Sequence, residues 1–115
     1  MVEVYWKSDG SARLSISSPR ERRLKLASIN EMLTFNFQLF DLDGFPADAA
    51  TITSVVVDPE GVETPVTFTW HSTGFYTGTF VCKKKGEHWI RVETTGVKTA
   101  REKKFDVAEP HVQIG

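Results

Sequence analysis

Cys82 is the only thiol in the chain, and Lys83, Lys84 and Lys85 follow it directly, with His88 six residues on. Neighbouring ammonium groups can lower a thiol's pKa, and a thiolate beside an imidazole is the working pair of nucleophilic catalysis. The set is incomplete here. No glycine-flanked elbow presents Cys82, and no third group nearby in the sequence would orient the base. We therefore read Cys82 as an incidental thiol ending a strand, assign no catalytic residue and expect a non-enzyme.

Carboxylates give the second cluster. Asp41-Leu42-Asp43-Gly44, with Asp48 beyond, has the outline of a calcium loop. Calcium needs several oxygens, and the full loop closes on a bidentate glutamate. Phe45-Pro46-Ala47 fills the intervening space and no such glutamate follows. An Asp/Gly turn between strands is the expectation. The histidines are scattered: His71 at a turn, His88 at a strand start, His111 in the tail. None has a partner at ligand spacing, and one cysteine cannot complete a structural zinc site, so no metal and no cofactor are expected. The eight glycines lie singly at turns and make no phosphate-binding loop.

Two basic runs, Arg20-Glu21-Arg22-Arg23-Leu24-Lys25 and Lys83-Lys84-Lys85, raise the question of phosphate binding. The chain as a whole carries 14 basic against 15 acidic residues, and no aromatic-rich strand flanks either run. Lysines at the end of a sheet also keep its edges from pairing with strangers. We read both as solvated turn and edge charges and expect neither nucleic acid nor a membrane as partner. Aromatic residues are better candidates for an interface: Tyr5, Trp6 and Trp89, joined by the arginines Arg20, Arg22 and Arg23. Trp89 alternates out of phase with Ile90 and Val92. It is either an exposed anchor or the residue that an N-terminal strand covers.

The elements that position these residues are strands. Leu33, Phe35, Phe37 and Leu39 occupy every second position, with Thr34, Asn36 and Gln38 between them, which gives one buried and one wet face. Thr51 to Asp58 is almost wholly β-branched. Asp58-Pro59-Glu60-Gly61 is a turn, and Val66, Phe68 and Trp70 alternate on the return as a hairpin partner. Tyr76, Gly78 and Phe80 share a face of the next strand. His88, Ile90 and Val92 share a face of the one after, and Phe105 with Val107 closes the last. Ala47 to Ala50 allows one short helical turn at most. This makes about six strands between residues 29 and 107, at sandwich spacing. The expected core is Leu33, Phe35, Phe37, Leu39, Val55, Val57, Phe68, Tyr76, Phe80, Ile90, Val92 and Phe105.

Three segments follow. Residues 1–28 are an N-terminal arm or extra edge strands that we expect to stay outside the core and to serve in assembly. Val2, Val4 and Trp6 alternate there, Ser8 to Ser18 is small and polar, and Pro19 to Lys25 is basic. Residues 29–107 form the sandwich and 108–115 a tail without periodicity. The 115 residues suffice for one domain that stands on packing without a disulfide. One cysteine fits a reducing compartment. No basic, apolar leader opens the sequence and no run is long enough to span a bilayer.

The segment Leu39–Val107, about 70 of the 115 residues, resembles a family of small immunoglobulin-like proteins encoded among the structural genes of tailed bacteriophages and prophages. The residues that carry the resemblance begin with Asp43-Gly44-Phe45-Pro46-Ala47-Asp48 and Val57-Asp58-Pro59-Glu60-Gly61. They continue through Ser72-Thr73-Gly74-Phe75-Tyr76, Phe80, Gly86 and Ile90-Arg91-Val92-Glu93 to Gly96 and Phe105-Asp106-Val107. The resemblance implies an all-β, immunoglobulin-like antiparallel sandwich of about 6–8 strands with an N-terminal extension. It also implies a non-enzymatic structural role in a phage-like particle, at the head–tail connection, on the tail or as a capsid decoration. Its partners would be other virion proteins and further copies of itself, in a virion assembled in the host cytoplasm. The alternative is an immunoglobulin-like carbohydrate- or ligand-binding module with Trp70 and Trp89 as its platform.

Overall fold

A computed structural model of the chain describes residues 10–17 and 26–108. Among the described residues there are nine strands and no helix, so the turn allowed at Ala47–Ala50 is not helical. The strands are β1 (Gly10–Ser17), β2 (Leu26–Ser28), β3 (Met32–Asp41), β4 (Thr51–Val57) and β5 (Glu63–Pro65), then β6 (Thr69–Ser72), β7 (Phe75–Val81), β8 (Gly86–Thr95) and β9 (Thr99–Ala108). One sheet has the order β1-β3-β7-β6 and the other β2-β9-β8-β4-β5. The two layers make an immunoglobulin-like β-sandwich. Its pairs are antiparallel except β2–β9, which is parallel.

The core follows the alternation. Leu33, Phe35, Phe37 and Leu39 of β3 are fully buried, as are Ile90 and Val92 of β8. Phe35 packs against Phe80 and Phe105 at centroid distances of 6.4 and 5.9 Å. Offset aromatic pairs of this kind add to the burial of their area.

Strand β4 corrects the expected core. Val55 and Val57 lie on the outer face, and the inward set is Ile52, Ser54 and Val56. A strand that is β-branched on both faces carries no periodic signal. Its phase is set by pairing, with Val56 opposite Ile90 and Ser54 opposite Val92.

The return after Asp58–Gly61 differs from a simple hairpin. The three residues of β5 pair with β4, and then Val66–Phe68 cross to the other sheet, where β6 begins. Pro65 has no N–H for a longer ladder. Val66 and Phe68 plug the side of the core instead, Phe68 edge-on to Phe37 at 6.2 Å.

Residues 10–17 also depart from an arm outside the core. All eight pair with β3, from Gly10 opposite Asp41 to Ser17 opposite Thr34. Leu14 is buried, and Ala12 and Ile16 pack beside it. On the other sheet, Ala27 of β2 is buried too. Of the two alternatives for the first 28 residues, extra edge strands describe 10–17 and 26–28, and the sandwich begins well before Ile29.

Candidate functional site

Aspartates hold the loops at one end of the sandwich. Asp41 Oδ1 accepts from the amides of Asp43 at 2.9 Å and Phe45 at 3.0 Å, the self-capped turn that Asp and Gly favour. Asp48 Oδ1 accepts from Gly74 N at 2.8 Å and Trp70 Nε1 at 3.1 Å, with the Tyr76 hydroxyl 3.5 Å away. The β3–β4 connection is thereby tied to the β6–β7 turn. Gly74 is required there: its φ is +76°, and a Cβ would meet Leu39 O at 2.6 Å. The carboxylates are spent on the protein's own amides, and among the described residues no three His, Cys, Asp or Glu gather as a metal site.

Three large apolar side chains flank this connection in the open: Leu42 (78% exposed), Phe45 (67%) and Trp70 (55%). Trp89, 39% exposed, is far from them in the topology. It lies on the outer face of β8 between Val57 and Lys104, on the other sheet. Trp70 and Trp89 therefore make no common platform for a sugar. Tyr5, Trp6, Arg20, Arg22 and Arg23 lie outside the described residues, as does the question of whether an N-terminal strand covers Trp89.

Cys82 is fully buried, its amide donating to Glu31 O. Burial, then the Glu31 charge, pushes its pKa up to about 11, opposite to the direction in which the lysines would move it. At neutral pH it is a thiol, a poor nucleophile. His71 belongs to strand β6 rather than a turn. Its Nε2 is 2.8 Å from Thr77 Oγ1 and its ring leans on Phe75. His88 is buried on the inward face and stacked on Phe105 at 5.1 Å. Its Nδ1–H donates to Gly86 O at 3.0 Å, since a carbonyl oxygen only accepts. His111 lies outside the described residues.

The feature that sequence reasoning missed lies at the other end. Strand β6 pairs with β7 only from Phe75 to Thr77. Beyond it the outer edge of β7, Thr79–Val81, has no strand beside it among the described residues. Between this edge and β5 runs a groove of about 450 Å³. Val56, Phe80 and His88 form its floor, and Val62, Val81 and Lys83 stand at its lips. Lys84 pins the groove's two turns together, 3.0 Å from Asp58 and 2.8 Å from Glu60. Asp58 caps its own turn as Asp41 does, and the Val62 amide holds its carboxyl below the usual range. The groove opens where β6 stops short of Thr79, a length that no residue pattern singled out.

Comparison with known proteins bears on the fold alone. No family model matches the chain, and no curated protein matches it. Among solved structures, it is similar to the filamin domain of Lin-41, with a TM-score of 0.66 and 18% identity over 84% of this chain and 93% of that one. It is also similar to a DUF4785 family protein from Legionella pneumophila (TM-score 0.65, 12% identity), where the match covers 84% of this chain and 28% of that one. A DUF4426 family protein from Pseudomonas aeruginosa gives 0.56 at 17% identity, over 91% and 94%. The filamin likeness agrees with an immunoglobulin-like sandwich.

Proposed function

We propose that the chain is a non-enzymatic docking module, a structural component of a phage-like particle present in many copies. The observation that carries docking is the group Leu42, Phe45 and Trp70, three large apolar side chains more than half exposed around one connection. Apolar surface held out on braced loops suits a partner that covers it. The Asp48 hydrogen bonds to Trp70 and Gly74 hold that surface in shape before binding, which lowers the entropy lost on docking. The particle as setting rests on the motif resemblance from Asp43 to Val107. Synthesis in the host cytoplasm followed by incorporation into the virion goes with it.

The test is mass spectrometry and immunogold labelling of purified particles from the strain that carries the gene. The wild-type chain is expected in stoichiometric, multi-copy amount. A Leu42→Asp, Phe45→Asp variant, which leaves the Asp48–Trp70 bond in place, is expected to keep its melting temperature and to be left out. Particles that assemble without any of the chain would overturn the setting, and incorporation of the double variant at wild-type level would overturn the docking surface.

A further inference from the structure

We infer that the groove between β5 and β7 is an acceptor for residues Val2–Trp6 of a second copy of this chain, which add a strand to the open edge of β7. The inference rests on the docking reading and names a partner for a surface separate from the Leu42, Phe45 and Trp70 group.

The acceptor side has three properties. Its backbone edge at Thr79–Val81 is unpaired among the described residues, so an extended segment can continue the sheet where β6 stops. Its floor of Val56, Phe80 and His88 closes one continuous groove of about 450 Å³, which the inward side chains of such a segment would fill. Its lip carries Lys83, which has no ion pair among the described residues, whereas Lys84 is already held by Asp58 and Glu60.

The donor side is written in the sequence. Val2, Val4 and Trp6 alternate with Glu3, Tyr5 and Lys7, so one face is apolar and the other polar, with one carboxylate and one ammonium. Residues 2–6 lie outside the described residues, and reach decides whose groove they enter. Gly10 starts β1 opposite Asp41, at the far end of the sheet from Thr79, which pairs with Thr34. That is about 24 Å along the strands and about 10 Å across β3 to β7. Val4 can lie at most about 21 Å from Gly10. A chain cannot lay this segment in its own groove, but a neighbour's is accessible. The contact is heterologous, donor of one copy to acceptor of the next, and it generates a ring or a filament.

The test uses the full chain and two single variants, Val4→Asp in the donor and Val81→Asp at the lip. Val81 is 38% exposed, so the lip variant is expected to keep its melting temperature. Light scattering after size exclusion should give a mass that rises with concentration for wild type and a monomer for each variant. Mixed, the two variants should form a one-to-one dimer and no more, because one intact donor and one intact acceptor remain between them. A fluorescein-labelled peptide of residues 1–8 should bind Val4→Asp and lose at least tenfold in affinity for Val81→Asp. A monomeric wild type that binds no peptide, or variants that associate as wild type does, would overturn the inference. The particle assay above would stand apart from that failure, because it reads a different surface.

Discussion

Asp48 and Trp70 stand 22 residues apart in sequence and meet through a 3.1 Å hydrogen bond from the indole Nε1 to the carboxylate. The same oxygen takes the Gly74 amide, so one side chain sets both the loop that bears Phe45 and the strand that bears Trp70. Asp48→Ala should lower the unfolding free energy by about 1 kcal/mol, since Asp48 is exposed and water replaces part of what is lost. It should also red-shift the Trp70 emission. Urea unfolding followed by tryptophan fluorescence reads both, and an unchanged midpoint and spectrum would show that the loop is held by something else.

Cys82 links stability to pH with a definite sign. Its pKa is raised from 9.0 in the unfolded chain to about 11 in the fold. The stabilisation is fully present below pH 9 and is lost as pH rises toward 11, because the unfolded state gives up its proton first. Two pH units correspond to roughly 2–3 kcal/mol. Urea midpoints at pH 8 and pH 10.5 should therefore converge in Cys82→Ala relative to wild type. A thiol reagent at pH 8 should react on the timescale of unfolding. Rapid labelling of the native protein would contradict the burial.

Alternation made β3 and β8 legible: an aromatic or aliphatic residue at every second site, with polar residues between, states its own phase. Residues 10–17 were harder, because Ala12, Leu14 and Ile16 form a thin apolar face among three serines, and only pairing with β3 gives it a purpose. The Asp-Gly turns were readable from local chemistry, since Asp41 and Asp58 cap their own loops. Neither Asp48's bond to Trp70 nor the groove beside β7 was readable, for each depends on segments distant in sequence coming to rest side by side.

Strand β4 is the sharpest check of that division. Val55 and Val56 are adjacent and chemically identical, so sequence cannot rank them, but only Val56 lies in the core. Val56→Ala should cost about 2 kcal/mol through lost burial and a residual cavity. Val55→Ala should cost less than half of that. Phe35→Ala, in the aromatic cluster with Phe80 and Phe105, should exceed both at about 3–5 kcal/mol. Chemical denaturation of the three variants gives the order directly, and Val55→Ala as the costlier of the two valine changes would invert the register of β4 on β8.

Ser54 offers a gain in stability. It sits on the inward face of β4 opposite Val92, 5% exposed, and its backbone carbonyl takes the Val66 amide at 3.0 Å. Its hydroxyl has no hydrogen-bond partner among the described residues. A buried, unsatisfied hydroxyl costs about 1–3 kcal/mol relative to its hydrated state. Ser54→Ala removes that cost without adding volume, while alanine's weaker strand preference offsets a few tenths. The net expectation is about 1 kcal/mol of added stability, a rise of a few degrees in melting temperature for a domain of this size. The β4 backbone bonds to β8 and to Val66 do not involve the side chain, so the fold is unchanged by the substitution. Calorimetry of the variant decides the matter: a lower melting temperature would mean that the hydroxyl is hydrogen-bonded in solution, with a buried water as its partner.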